Sequence, residues 1–177
     1  MKLKDKLGAL RDKYDFIILD SSPSLNEEVL STMIASDHLL IITTPDYPTL
    51  SCSIRAAKLA KQRGKPVAGM IINKIRDPKY ELTLEDMEET TGIPVVARIP
   101  DDKVNIRALF MRVPTILYRR SSKFSRELTK LSAALAQQKE RRSLLSYILP
   151  KDMRKDEVNR ALMKDSFYKS VFISGTE

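Results

Sequence analysis

Four short apolar runs separated by helix-length segments limit what this chain can fold into. They cover residues 15–20 (DFIILD), 38–44 (HLLIITT), 67–73 (VAGMIIN) and 95–99 (VVARI). Each run is apolar at consecutive positions, so both faces of the strand it predicts must be buried. Between them the periodicity is helical. Leu3, Leu7 and Leu10 predict a helix over 3–13, and Val29, Leu30, Met33 and Ile34 share one face of a helix over 26–35. Further helices are predicted over 49–63, ended by Gly64, and over 82–91, stopped by Gly92. Strands buried on both faces and alternating with amphipathic helices define the α/β class: a mostly parallel sheet sandwiched between two helix layers. Beyond residue 100, Ser122 is placed to cap a helix whose Phe124, Leu128, Leu131 and Leu135 lie on one face. This helix closes a domain expected over 1–138, and residues 139–177 read as a basic, amphipathic tail with one further helix over 152–165.

In parallel sheets of this kind, ligands bind beyond the carboxyl ends of the strands. Asp20, Pro45, Asn73 and Pro100 all fall there. A carboxylate ending a buried apolar strand, as Asp20 does in YDFIILDSSPS, suits a residue that faces a nucleotide's magnesium ion; it also suits a cap for the next helix. Asn73 offers both a donor and an acceptor to a base edge, or it serves as a turn residue before Lys74. A single Cys52 and a single His38 exclude an internal disulfide, a Cys/His zinc site and an iron–sulfur centre. Cys52 is expected on a helix facing the sheet and His38 at a strand entrance, neither with a role. No run approaches the roughly 20 apolar residues of a membrane-spanning helix, and MKLKDKLGAL lacks the form of a signal peptide, so a cytoplasmic location is expected.

The net charge of +8 is regional. Residues 103–142 carry eleven Lys and Arg against Glu127 and Glu140. Arg119, Arg120, Lys123, Arg126 and Lys130 cluster on and before the helix that Ser122 caps, and Arg141 and Arg142 open the tail. Such a face suits nucleic acid, acidic lipid or an acidic protein, and equally the solvated exterior of a helix. In RRSLLSYIL, residues 141–149, Leu144, Leu145, Ile148 and Leu149 form an apolar face beside two arginines and stop at Pro150, a pattern that suits docking onto the domain as well as an interfacial helix.

The order of these pieces resembles the middle and end of the MinD/ParA family of deviant-Walker ATPases, most closely its MinD branch. The run from Tyr14 to Lys61, then GMIINKIR and GIPVVARIPDD, carries the resemblance, which extends from about Leu3 to Gln138. It implies a P-loop NTPase-like sheet, incomplete at its amino end, in an ATP-binding switch ATPase of division-site placement or partitioning. Asp20 would be the catalytic Walker B carboxylate, holding magnesium through water. Ser21, Ser22 and Pro23 would form the loop that senses the γ-phosphate, with Ser22 where the family pattern has a proline. Asn73 would select adenine, and Pro100 and Asp101 would lie along base and ribose. The implied cofactors are ATP and Mg. The implied partners are a second copy in an ATP-bound homodimer, a protein of the division or partitioning machinery, and a membrane surface at the inner face of the cell membrane or nonspecific DNA.

The family's phosphate-binding loop has no counterpart among Gly8, Gly64, Gly69, Gly92 and Gly175; Gly64-Lys65 follows a helix, and Pro66 replaces the hydroxyl that reaches magnesium. Without the strand that leads into that loop, the sheet should expose an apolar edge, and the chain alone should not hydrolyse ATP. The reading from a different class is a non-catalytic module that binds DNA, acidic lipid or a partner protein through its basic face.

Overall fold

The computed structural model describes residues 3–22, 26–136 and 154–173, the last helix with side chains as far as 165. Pro23, Arg141, Arg142 and the segment 141–149 lie outside the described residues. In chain order the elements are α1 (Leu3–Gly8), a 3₁₀ turn (Arg11–Lys13), α2 (Glu27–Ala35), β1 (Leu39–Thr43), α3 (Tyr47–Gln62), β2 (Val67–Ile75), α4 (Leu84–Thr91), β3 (Val95–Pro100), α5 (Lys103–Phe110), α6 (Thr115–Tyr118), α7 (Lys123–Leu135) and α8 (Lys155–Ile173).

The three strands pair in parallel in the order β1-β2-β3. Successive residues of β2 point to opposite faces, and both faces are covered. On one, Met70 and Ile72 join Val95, Leu50 of α3, and Leu84 and Met87 of α4. On the other, Ile71 joins Val96, Ala97 and Ile99 of β3, Leu131 and Ala134 of α7, and Met163 of α8. The sheet therefore lies between two helix layers, as expected for the α/β class. Each fully buried aliphatic side chain in these layers contributes about 1.5–3 kcal/mol.

The helix boundaries have local causes. Asn26 accepts from the Val29 N–H, Asp46 from Thr49 and Ser122 from Ser125, each at an N-cap. Thr83 and Asp86 form a reciprocal capping box on α4, and Gly92 ends that helix at φ 67°. Helix α5 ends in a Schellman turn, with Val113 N–H donating to Ala108 O and Arg112 N–H to Leu109 O. Arg112 takes the left-handed position there, at φ 53°, where glycine is the usual choice.

Two expectations are corrected. Residues 15–20 form no strand: they belong to no ladder, and Phe16, Ile17 and Ile18 are exposed, Ile18 at 89%. An apolar run becomes a strand only beside a partner, and among the described residues none flanks it. Beside β1 the expected apolar edge is present, with Ile42 exposed at 64%. Cys52 is exposed and does not face the sheet, because Leu50, Ser53, Ile54 and Ala57 form the inner face of α3.

The opposite edge is closed by side chains. Glu88 Oε1 accepts from Val95 N–H at 2.7 Å, Asn159 Nδ2 donates to Val95 O at 3.0 Å, and Arg160 Nε donates to Val96 O at 2.8 Å. Helices α4 and α8 thus satisfy backbone groups that a fourth strand would otherwise take.

Candidate functional site

The carboxyl ends of β1, β2 and β3 converge on one rim. At β2, the register against β3 shifts between Ile72 and Ile75, because Lys74 enters the left-handed region at φ 57°. This bulge places Asn73 and Lys74 opposite a single step of β3. The Asn73 side-chain oxygen accepts from Lys74 N–H at 2.9 Å, which leaves its NH2 group unused by that turn. So the turn reading of Asn73 holds locally, and the donor half of its carboxamide is still available.

Ile75 pairs with Pro100, and Asp101 N–H donates to Ile75 O at 2.9 Å. Arg76 Nε donates to Asp101 Oδ2 at 2.6 Å, tying the loops after β2 and β3 together. The sequence reading missed Arg76; its place just beyond a strand end was the available signal. Asn73, Pro100 and Asp101 are therefore brought to one rim. Asp20 and Ser21 are exposed on the unpaired segment, with Ser22 half-buried beside them.

At the end of β1, Asp46 accepts from the Thr44 hydroxyl and, at 2.9 Å, from Thr49 N–H. The Thr44 hydrogen bond, followed by the Thr49 N–H, holds the Asp46 carboxyl below its ordinary value of 3.8. A carboxyl depressed in the folded state contributes stability that is complete above its unfolded value and is lost as pH falls through the folded one. Urea unfolding across pH 3–5 should show a decline below about pH 3.8 that Asp46→Asn flattens, since the amide keeps the cap without titrating. Asp46→Ala should cost about 0.5–2 kcal/mol at neutral pH.

The basic residues divide. Arg119, Arg120, Lys123 and Arg126 are exposed, whereas Lys130 is half-buried and pairs with Glu127 at 3.3 Å and Glu157 at 3.4 Å. Lys123, Arg126 and Lys130 line an open cleft of about 480 Å³ with Arg98 and Pro100 of β3 and Arg154 before α8.

The described residues fit only part of a magnesium nucleotide. Asn73, Pro100 and Asp101 suit a base and a sugar, although a ribose hydroxyl would have to compete with Arg76 for the Asp101 carboxylate. No group of three or more His, Cys, Asp or Glu among the described residues is arranged to hold a metal ion. Nor does a glycine-rich helix start present successive N–H groups to a triphosphate.

A model of the AAA domain family AAA_31 matches residues 1–61. An uncharacterized ATP-binding protein of Methanocaldococcus jannaschii, MJ0169, is 27% identical over 135 residues, covering 76% of this chain and 51% of that protein. A septum site-determining protein MinD of Synechocystis sp. is 22% identical over 106 residues, covering 58% of this chain and 40% of that protein. Among solved structures, the septum site-determining protein MinD complexed with Mg-ADP from Pyrococcus horikoshii superposes with a TM-score of 0.70 at 25% identity, covering 76% of this chain and 55% of the other. The chain spans about half the length of the curated relatives it matches. The architecture is that of the P-loop ATPases. Sequence and fold together make the chain similar to the MinD/ParA-like members of that class.

Proposed function

We propose that this chain supplies the base-binding wall of a MinD/ParA-like ATP-dependent switch. The observation that carries the reading is the junction of Asn73, Pro100 and Asp101 on one rim, made by the bulge at Lys74 and the Arg76–Asp101 pair. The free NH2 of Asn73 would donate to an adenine ring nitrogen, Pro100 would pack on the base, and Asp101 would accept from the ribose. Asp20 would support magnesium once its segment is seated beside β1. The phosphate-binding loop would come from a segment preceding Met1 or from a separate chain. In the assembled protein, ATP would favour a homodimer, and hydrolysis would release it together with its division or partitioning partner, at the cytoplasmic face of the membrane or on DNA.

Three observations test this. The coding sequence in frame upstream of Met1 should encode a Gly-Lys-Ser/Thr loop; a stop codon close by favours instead an interaction module acting through Arg119, Arg120, Lys123 and Arg126. In the longer protein, Asn73→Ala should weaken Mg-ATP binding about tenfold and narrow its preference over Mg-GTP, read by calorimetry. For the 177-residue chain alone, calorimetry should show no tight Mg-ATP binding.

A further inference from the structure

The excursion between β3 and α7 is built inside out. Helix α5 buries only Ala108, while Ile106, Leu109, Phe110 and Met111 are exposed at 70%, 79%, 85% and 58%, and Leu117 of α6 at 64%. They gather where the Schellman turn at Arg112 leads the chain from α5 to α6.

The charge of this stretch is of one sign. From residue 103 to 126 the sequence contains Lys103, Arg107, Arg112, Arg119, Arg120, Lys123 and Arg126 and no Asp or Glu. All seven cations are exposed, and none is in an ion pair among the described residues. Exposed apolar patches mark surfaces that are covered in use. Two copies meeting through this face would oppose like charges. A rigid protein partner would need acidic groups set around an apolar centre, and DNA would leave Leu109 and Phe110 without a place to go. A fluid anionic surface satisfies both features, because apolar side chains enter the acyl boundary while arginines and lysines remain among negative headgroups.

We propose that the α5–α6 tip is an interfacial docking surface for anionic lipid, with Leu109, Phe110 and Met111 entering the bilayer and the seven cations contacting headgroups. This surface adjoins the cations of α7 but rests on its own observation, the exposed apolar tip, and it stands whether or not the chain binds nucleotide.

The protein has no tryptophan, so Phe110→Trp gives a single reporter in the full chain. With phosphatidylcholine vesicles containing about a third phosphatidylglycerol, its emission should shift to the blue and be quenched by brominated acyl chains; pure phosphatidylcholine should do neither. In co-sedimentation at low salt, Leu109→Asn with Phe110→Asn should lower partitioning at least tenfold, and so should Arg119→Glu with Arg120→Glu. Circular dichroism should report unchanged melting for both pairs, since all four side chains are exposed. An emission spectrum indifferent to anionic vesicles overturns the proposal. So does wild-type sedimentation of both double variants, which would move binding to residues 141–149 or elsewhere. Capture of an acidic protein or DNA without any tryptophan shift also overturns it.

Discussion

Arg160→Met should destabilise the fold by about 3–5 kcal/mol, although the arginine lies far along what reads as a tail. Arg160 is 2% exposed and Asp156, one helical turn before it, is 0% exposed. The Arg160 Nη2 group lies 3.3 Å from Asp156 Oδ2 and 3.7 Å from Glu127 Oε2, while Nε donates to Val96 O. Methionine keeps much of the volume but leaves the Val96 carbonyl without its donor and takes a cationic partner from buried Asp156, while Glu127 keeps Lys130 and Arg154. A buried acceptor without a donor costs about 1–3 kcal/mol, and a buried carboxylate with fewer partners adds to that. Arg154, at 3.2 Å from the same Asp156 oxygen, is 38% exposed and only partly compensates.

Pairing Arg160→Met with Asp156→Leu should recover a large part of the loss, because removing both members of a buried pair takes away the stranded charge. Recovery should stop short of wild type by about one hydrogen bond, since Val96 O still lacks its donor. Urea unfolding of the two single variants and the double variant measures the coupling. A single-variant loss below about 1 kcal/mol would mean that α8 does not close the β3 edge.

How far the fold was legible follows from what each residue's period reports. Runs that end up between two helix layers, 39–43, 67–75 and 95–100, announced themselves, and so did the face of α7; on α2, Val29 and Met33 are buried as expected but Ile34 is exposed. Residues 15–20 carried the same signal with a different outcome, because composition records a preference for extended backbone and says nothing about whether a neighbour is present. Helix α5 went unpredicted because its apolar side chains point away from the core. Asp156 and Arg160 carried no signal within the helix expected over 152–165, since burial of a salt bridge depends on a strand edge about sixty residues earlier in the chain. At the candidate site, Asn73 and Pro100 could be read from their positions at strand ends, whereas Asp101 entered only through the family resemblance. The bulge at Lys74 and the Arg76–Asp101 pair, which bring those ends together, have no periodic signature.

Gly69→Ala should cost about 1–3 kcal/mol by overpacking, for a reason that also lies at Val96. The β2–β3 register shifts between Met70 and Ile71: Met70 pairs with Val95 and Ile71 with Ala97, so Val96 is the extra residue of a bulge on β3. Its side chain, 0% exposed, lies over Gly69, where an added Cβ would sit 2.6 Å from Val96 Cγ1 and 2.9 Å from Cγ2. Valine is branched at Cβ and enclosed, so it cannot rotate away. Relief must come from sliding β3 against β2, which would move Pro100 relative to Asn73 and open the rim where a base would rest. Adding Val96→Ala removes both clashing methyls. The double variant should therefore lose less stability than the two single losses added together, by roughly 1 kcal/mol or more, in thermal or urea unfolding. Strict additivity would mean that β3 does not depend on the missing Cβ at Gly69. The same double variant, built in a protein that binds Mg-ATP, should restore part of the affinity that Gly69→Ala removes, because the strand offset carries Pro100 back toward Asn73.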